Sequence, residues 1–149
     1  MANEFHYCVS FHIVHPTLDP TSVTQALVNV RPKREVMAGD ERRGVDGKPL
    51  SPGRRAAFSV WSTDLHTEPR LYSGTTPISA LIIDFLTKLE GHEDFLFKIR
   101  QEGEVALSVG WFSDSNYSAE ILSAEAMKKC GDLGIDIELN CYWNGNVTP

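Results

Sequence analysis

The chain has 149 residues, 42% of them hydrophobic, and a formal net charge of −6; one domain of that length buries roughly 68–70% of its unfolded surface, so a core needs no disulfide or metal staple. Its three cysteines, Cys8, Cys130 and Cys141, are odd in number and widely spaced, which argues against a disulfide framework and against a CxxC metal site. No apolar run approaches the roughly 20 residues that span a bilayer, and Met1–Glu4 carries no basic leader, so a cytoplasmic protein with no membrane contact is expected.

From Phe5 to Val14 apolar and polar residues alternate. Phe5, Tyr7, Val9, Phe11 and Ile13 share one face and His6, Cys8, Ser10 and His12 the other, the pattern of a half-buried strand. Asp19-Pro20 then supplies an N-cap and a first-turn proline for a short helix carrying Val23, Ala26, Leu27 and Val30, which Pro32 ends. Residues 33–55 change to charge, glycine and proline, with turn signals at Gly39-Asp40, Asp46-Gly47 and Pro52-Gly53. The segment reads as an extended loop or a loose hairpin, and connections of that length inside a domain tend to be functional or disordered. Ala57 to Thr63 is β-prone and forms a second strand, with both faces partly covered and Trp61 in or near the core.

Asp64 to Thr75 is polar, interrupted by Pro69 and Gly74, and reads as loop. Thr76-Pro77 opens the clearest helix, whose stripe is Ile78, Leu81, Ile82, Phe85, Leu86 and Leu89; Gly91 ends it, and Phe95, Leu96 and Ile99 mark another helix up to Gly103. Val105, Leu107, Val109 and Trp111 alternate, and after Ser113–Asn116 so do Tyr117, Ala119 and Ile121, which predicts a hairpin with a four-residue connection. Ser123 caps a helix carrying Ala126, Met127 and Cys130, which stops between Gly131 and Gly134. The most regular strand comes last, with Ile135, Ile137, Leu139, Cys141 and Trp143 on one face and Asp136, Glu138, Asn140 and Tyr142 on the other; a loose tail follows residue 143. The order strand, helix, strand, two helices, strand, strand, helix, strand predicts a single α+β domain over residues 1–149, a largely antiparallel sheet with helices on one face.

Charge is distributed unevenly. Eight of the fourteen lysines and arginines lie between Arg31 and Arg55 against four acids, so that segment carries +4 and the remainder −10. Arg42, Arg43, Lys48, Arg54 and Arg55 form the candidate interaction loop: the paired arginines present planar forks suited to carboxylate or phosphate. The competing reading is a solvated loop whose cations offset the acidic body. Nucleic acid is disfavoured, because the acidic remainder repels a phosphate backbone and no aromatic residue is interleaved with these cations.

A second candidate is the polar sheet face with His6, His12, Asp136 and Glu138. His6 and Cys8 would offer two metal ligands if Asp136 or Glu138 completed the set, and Asp136 with Glu138 has the i, i+2 spacing of an acid/base pair. An ordinary solvated strand face produces both patterns, so no metal and no cofactor are expected. Cys8 lacks the surroundings of a nucleophile, Cys130 and Cys141 read as core, and neither a phosphate loop nor a dinucleotide fingerprint is present.

The run Val9-Ser10-Phe11-His12-Ile13, then Leu18-Asp19-Pro20, the Thr24/Leu27 helix, Pro32, Gly39-Asp40 and Trp61-Ser62, resembles a bacterial family known as the domain of unknown function DUF4279. Val109-Gly110-Trp111-Phe112, and the ending from Leu133-Gly134-Ile135-Asp136 to Tyr142, are similar to that family's closing block. The resemblance therefore runs from about Phe5 to Tyr142. Its motifs determine the fold, carry over no catalytic residue, and imply a small stand-alone bacterial protein. With no catalytic constellation and a split charge, the expected function is a non-enzymatic interaction module with a protein partner, in one version an immunity-type protein that neutralises a toxin. The alternative is a small-molecule or phosphate-ligand binder with weak enzymatic activity. A homodimer would bury the open sheet face.

Overall fold

A computed structural model describes residues 5–50, 54–115 and 117–143. In chain order its elements are β1 (His6–His15), α1 (Pro20–Ala26), β2 (Arg34–Val36), β3 (Ser59–Asp64), β4 (Leu71–Tyr72), α2 (Ile78–Thr87), α3 (Glu93–Arg100), β5 (Glu104–Ser113), α4 (Ala124–Leu133) and β6 (Asp136–Trp143). Alternation makes β1 the centre of the sheet: Tyr7, Val9, Phe11 and Ile13 are buried, while Cys8, Ser10, His12 and Val14 between them are half-buried. One edge of β1 pairs antiparallel with β5; the other pairs antiparallel with β3 and, further along, with β4. Adding β2 beside β3 and β6 parallel to β5 completes the order β2-β3-β1-β5-β6. This is the expected α+β class, a mostly antiparallel open sheet with the helices on one face.

Helices α1 and α4 start on side-chain caps, whereas α2 and α3 have no side-chain cap hydrogen bond. The Asp19 carboxylate accepts from the Thr21 N–H at 2.9 Å at the start of α1, and the Ser123 hydroxyl accepts from the Ala126 N–H at 3.1 Å at the start of α4. Gly134 closes α4 in the left-handed region, φ 68°, where a Cβ would be strained. Val23 of α1 and Leu27 just after it, Ile78, Ile82, Phe85 and Leu86 of α2 with Leu89 beyond its end, Leu96 and Ile99 of α3, and Ala126, Cys130 and Leu133 of α4 all enter one core, with Leu81 packed against it. There they meet Val105, Leu107 and Val109 of β5, while Phe11 of β1 packs its ring 6.0 Å from Trp61 and 5.3 Å from Phe85.

Three expectations are corrected. Tyr117–Ile121 forms no strand, and the predicted hairpin does not exist. The reason is that β5 has two edges, taken by β1 and by parallel β6, and α4 is the crossover that a parallel pair requires. The 117–123 segment is instead pinned by side chains: the Trp111 indole donates to the Ser118 hydroxyl at 2.8 Å, and the Ser79 hydroxyl donates to the Ile121 carbonyl at 3.0 Å and accepts from the Ser123 N–H at 2.8 Å. Second, Cys141 is exposed rather than core, because β6 is an edge strand that runs out beyond its helical cover after Ile137. Third, the expected loop 64–75 contains β4, held by the end of β1 that β3 does not reach. The expected tail after residue 143 lies outside the described residues.

Candidate functional site

The basic segment is a hairpin that continues the β2–β3 ladder away from the sheet. Its arms are tied by the Arg42 N–H to the Arg54 carbonyl at 3.0 Å and the Ala56 N–H to the Asp40 carbonyl at 2.8 Å, with bridges at Glu41–Arg55 and Arg43–Pro49. Nearer the tip the Gly44 N–H reaches the Lys48 carbonyl at 2.8 Å, and the Lys48 N–H donates to the Asp46 carboxylate at 3.1 Å. The expected loose hairpin is therefore present, with Pro52-Gly53 outside the described residues.

Residues directly opposite one another on neighbouring strands share a face. On the face away from the helices, Val36, Val60 and Val14 therefore form one cross-strand row, and Arg34, Ser62, His12, Ala106 and Asp136 form the next. The hairpin and the valine row enclose a cleft of about 750 Å³. Its floor includes Val14, Val36 and Val60; Leu50 and Phe58 add apolar surface, and Arg34, Arg42, Arg43 and Arg55 supply positive charge.

The acids lining this cleft are already engaged. Glu35 accepts from the Thr24 hydroxyl, Asp40 accepts from the Met37 N–H at 2.9 Å, and Glu41 pairs with Arg43 at 3.3 Å. Arg55 donates to the Gly39 carbonyl at 2.7 Å through one nitrogen only. Arg34 and Arg42 have no hydrogen-bond or ion-pair partner through their guanidinium groups among the described residues. Exposed ion pairs contribute little, and Glu35 and Asp40 keep their charge, so the four arginines and three carboxylates of the lining leave it at +1.

The predicted loop residues separate into two groups. Arg42, Arg43 and Arg55 line the cleft, whereas Lys48 sits at the tip beside Asp46 at 4.0 Å and Arg54 is exposed outside the lining. The predicted polar face does not converge either. His12 lies in the same row as Arg34 and Asp136, but His6 stands six residues along β1, its ring 5.3 Å from Tyr72. Asp136 is paired with Arg100 at 3.1 Å, and Glu138 accepts from Asn140 at 3.0 Å. The register sets His6 level with Phe112 and Cys8 level with Gly110, while Asp136 and Glu138 sit two strands away and level with Ala106 and Ser108. The suggested His6/Cys8/carboxylate metal set is thus not brought together, and among the described residues no three His, Cys, Asp or Glu side chains converge on a metal position.

Sequence reasoning missed Arg34 as a site residue and missed the apolar floor. The signal was available in part, because Val14 continues the alternation of His12, but the partner valines lie more than twenty residues away. It also missed a stack at the far end of the same face, where the Arg70 guanidinium lies 3.7 Å from the Phe112 ring centroid and Phe112 is near-parallel to Tyr142 at 4.9 Å. The two strongly shifted groups are structural. Burial, reinforced by Glu120, pushes the Tyr7 phenol up to about 12, and burial pushes the Cys130 thiol up to about 11, which makes it inert.

The family model described as Domain of unknown function (DUF4279) matches residues 3–144, nearly the whole chain. This chain belongs to the DUF4279 family. No curated protein and no solved structure matches it. The DUF4279 match takes in every strand of the open face and the whole basic hairpin, so the cleft lies inside the family's region rather than on an appendage. No helix among the described residues of this DUF4279 member is long and apolar enough to cross a membrane.

Proposed function

We propose that this DUF4279 protein is a non-enzymatic interaction module whose cleft takes an acidic, partly apolar segment of a protein partner. One observation carries the reading: four arginines outnumber three carboxylates in the cleft lining, and among the described residues the guanidinium groups of Arg34 and Arg42 have no partner beside a valine floor. A bound carboxylate would regain there the charge-assisted hydrogen bonds that two guanidinium groups lack, and apolar side chains between the acids would cover the valines. The test is calorimetric titration of synthetic peptides alternating Asp or Glu with Leu or Val against wild type and an Arg34→Gln/Arg42→Gln/Arg55→Gln variant. The expected result is micromolar binding that the variant weakens at least about tenfold, as the loss of charged hydrogen bonds requires. Equal affinity for the two proteins would remove the cleft from the account.

A second reading is favoured by volume: about 750 Å³ lies within the roughly 300–1,000 Å³ of small-molecule sites. A small anion with an apolar body, such as a sugar phosphate or an aromatic carboxylate, would use the same arginines. At about 100 times its dissociation constant, such a ligand stabilises the native state by about 2.7 kcal/mol. A thermal-shift screen with no rise in Tm would rule this reading out.

A further inference from the structure

We propose that a second copy of this chain pairs antiparallel along β6, about a two-fold axis at Leu139, joining two sheets into one. This interface is independent of the cleft, which lies at the opposite side of the sheet.

The two edges of the sheet are unlike. The β2 edge is three residues long and leads straight into the charged hairpin. The β6 edge is eight residues, DIELNCYW, and pairs only with β5 among the described residues. Natural edges are guarded by charged side chains, lysine above all, by proline, bulges or brevity, because unpaired N–H and C=O groups template the pairing of another strand. The two charges of β6, Asp136 and Glu138, both fall in its first half. β6 has no lysine, arginine or proline, and its pairing with β5 runs unbroken from Asp136 to Trp143. Its outer half also exposes apolar side chains on both faces: Leu139 is 55%, Tyr142 52% and Trp143 62% exposed.

Self-complementarity selects the occupant and the register. A two-fold antiparallel pair puts residues of the same face opposite one another, so the axis must pass through a residue. An axis at Glu138 sets Glu138 against its own copy, and like charges directly opposite are destabilising. An axis at Asn140 sets two polar side chains, rather than two apolar ones, opposite each other at the centre of the pair. At Leu139 the leucines face each other, Ile137 faces Cys141, Glu138 faces Asn140 and Asp136 faces Tyr142. In that register no charge meets its like, and the apolar face of β6 becomes continuous across the axis.

Sedimentation equilibrium of the full chain over a micromolar concentration range tests this. Wild type is expected to be a dimer, and Leu139→Lys, which sets two cations opposite each other at an exposed site, is expected to raise the dimer dissociation constant at least about tenfold with circular dichroism unchanged. A short bismaleimide supplies a second readout. On a Cys141→Ser background it is expected to link Leu139→Cys between copies, but not Val28→Cys, which is more exposed and lies after α1. A monomeric wild type overturns the proposal and leaves the edge to a strand from another protein. A dimer that Leu139→Lys does not weaken, or cross-linking as efficient at residue 28 as at residue 139, overturns it as well.

Discussion

At the scale of single residues, a short chain of donors ties the core to the site. The Trp61 indole donates to the Thr24 hydroxyl at 2.9 Å, and Thr24 in turn donates to Glu35, the middle residue of β2. Because Trp61 is buried, Thr24→Val strands its N–H without water, at an expected cost of about 1–3 kcal/mol in urea unfolding, whereas a solvent-exposed threonine would be near-neutral. Tyr7 is the second such residue. Its hydroxyl donates to the Thr76 carbonyl at 2.6 Å just before α2, and its phenol is pushed from 10.0 up to about 12 by burial and then by Glu120. A folded-state value above the unfolded one means that the stability this group confers is intact below pH 10 and is lost as the pH rises towards 12. Alkaline unfolding monitored by near-ultraviolet circular dichroism should therefore be steep in wild type and shallower in Tyr7→Phe. A profile unchanged by the substitution would show that another group governs the alkaline limit.

At the scale of elements, local chemistry set the helix starts and long-range pairing decided the strands. Asp19 illustrates the first. Its carboxyl is held below the usual 3.8 by hydrogen bonds from the Thr21 hydroxyl and the Thr21 backbone N–H. A lowered folded-state value means that the stability it lends α1 is present above the ordinary carboxyl range and fades as the pH falls through the lowered value. Asp19→Asn keeps a capping oxygen but cannot titrate, so its acid unfolding curve is expected to fall less steeply; an identical slope would exclude Asp19 as a contributor. The caps at Asp19 and Ser123 were legible because a cap is chemistry among residues two or three apart. Tyr117–Ile121 was not, because its alternation is real but no edge of β5 is left to receive it. Strand β6 was legible, but the burial of Cys141 was misjudged for a related reason: regular alternation states which residues share a face, not whether anything covers that face.

At the scale of the whole molecule, the split between the +4 segment and the −10 remainder takes a spatial form. The hairpin projects from one edge of the sheet, and at the other edge β6 carries Asp136 and Glu138 with no cation in the strand. Binding at the cleft should accordingly weaken as salt rises from low to physiological strength, since much of its charge is exposed and screened over a Debye length of about 10 Å at 0.1 M. Salt-independent affinity would point to the valine floor as the main contributor. The cations of this site were legible from composition alone. The floor was not, since Val14, Val36 and Val60 become neighbours only through two antiparallel pairings, and Arg34 gains its meaning from standing in the row beside them.

The late position of the parallel crossover also has a consequence in time. All antiparallel pairs of the described sheet lie within the first 113 residues, whereas β6, the parallel partner of β5, follows α4 in the chain. Because the chain is made from its N-terminus, every other strand of the described sheet is available for pairing before β6 is. Amide exchange should record the same order in reverse, with β6 opening at a lower free energy than β1, the strand that every other part of the fold surrounds.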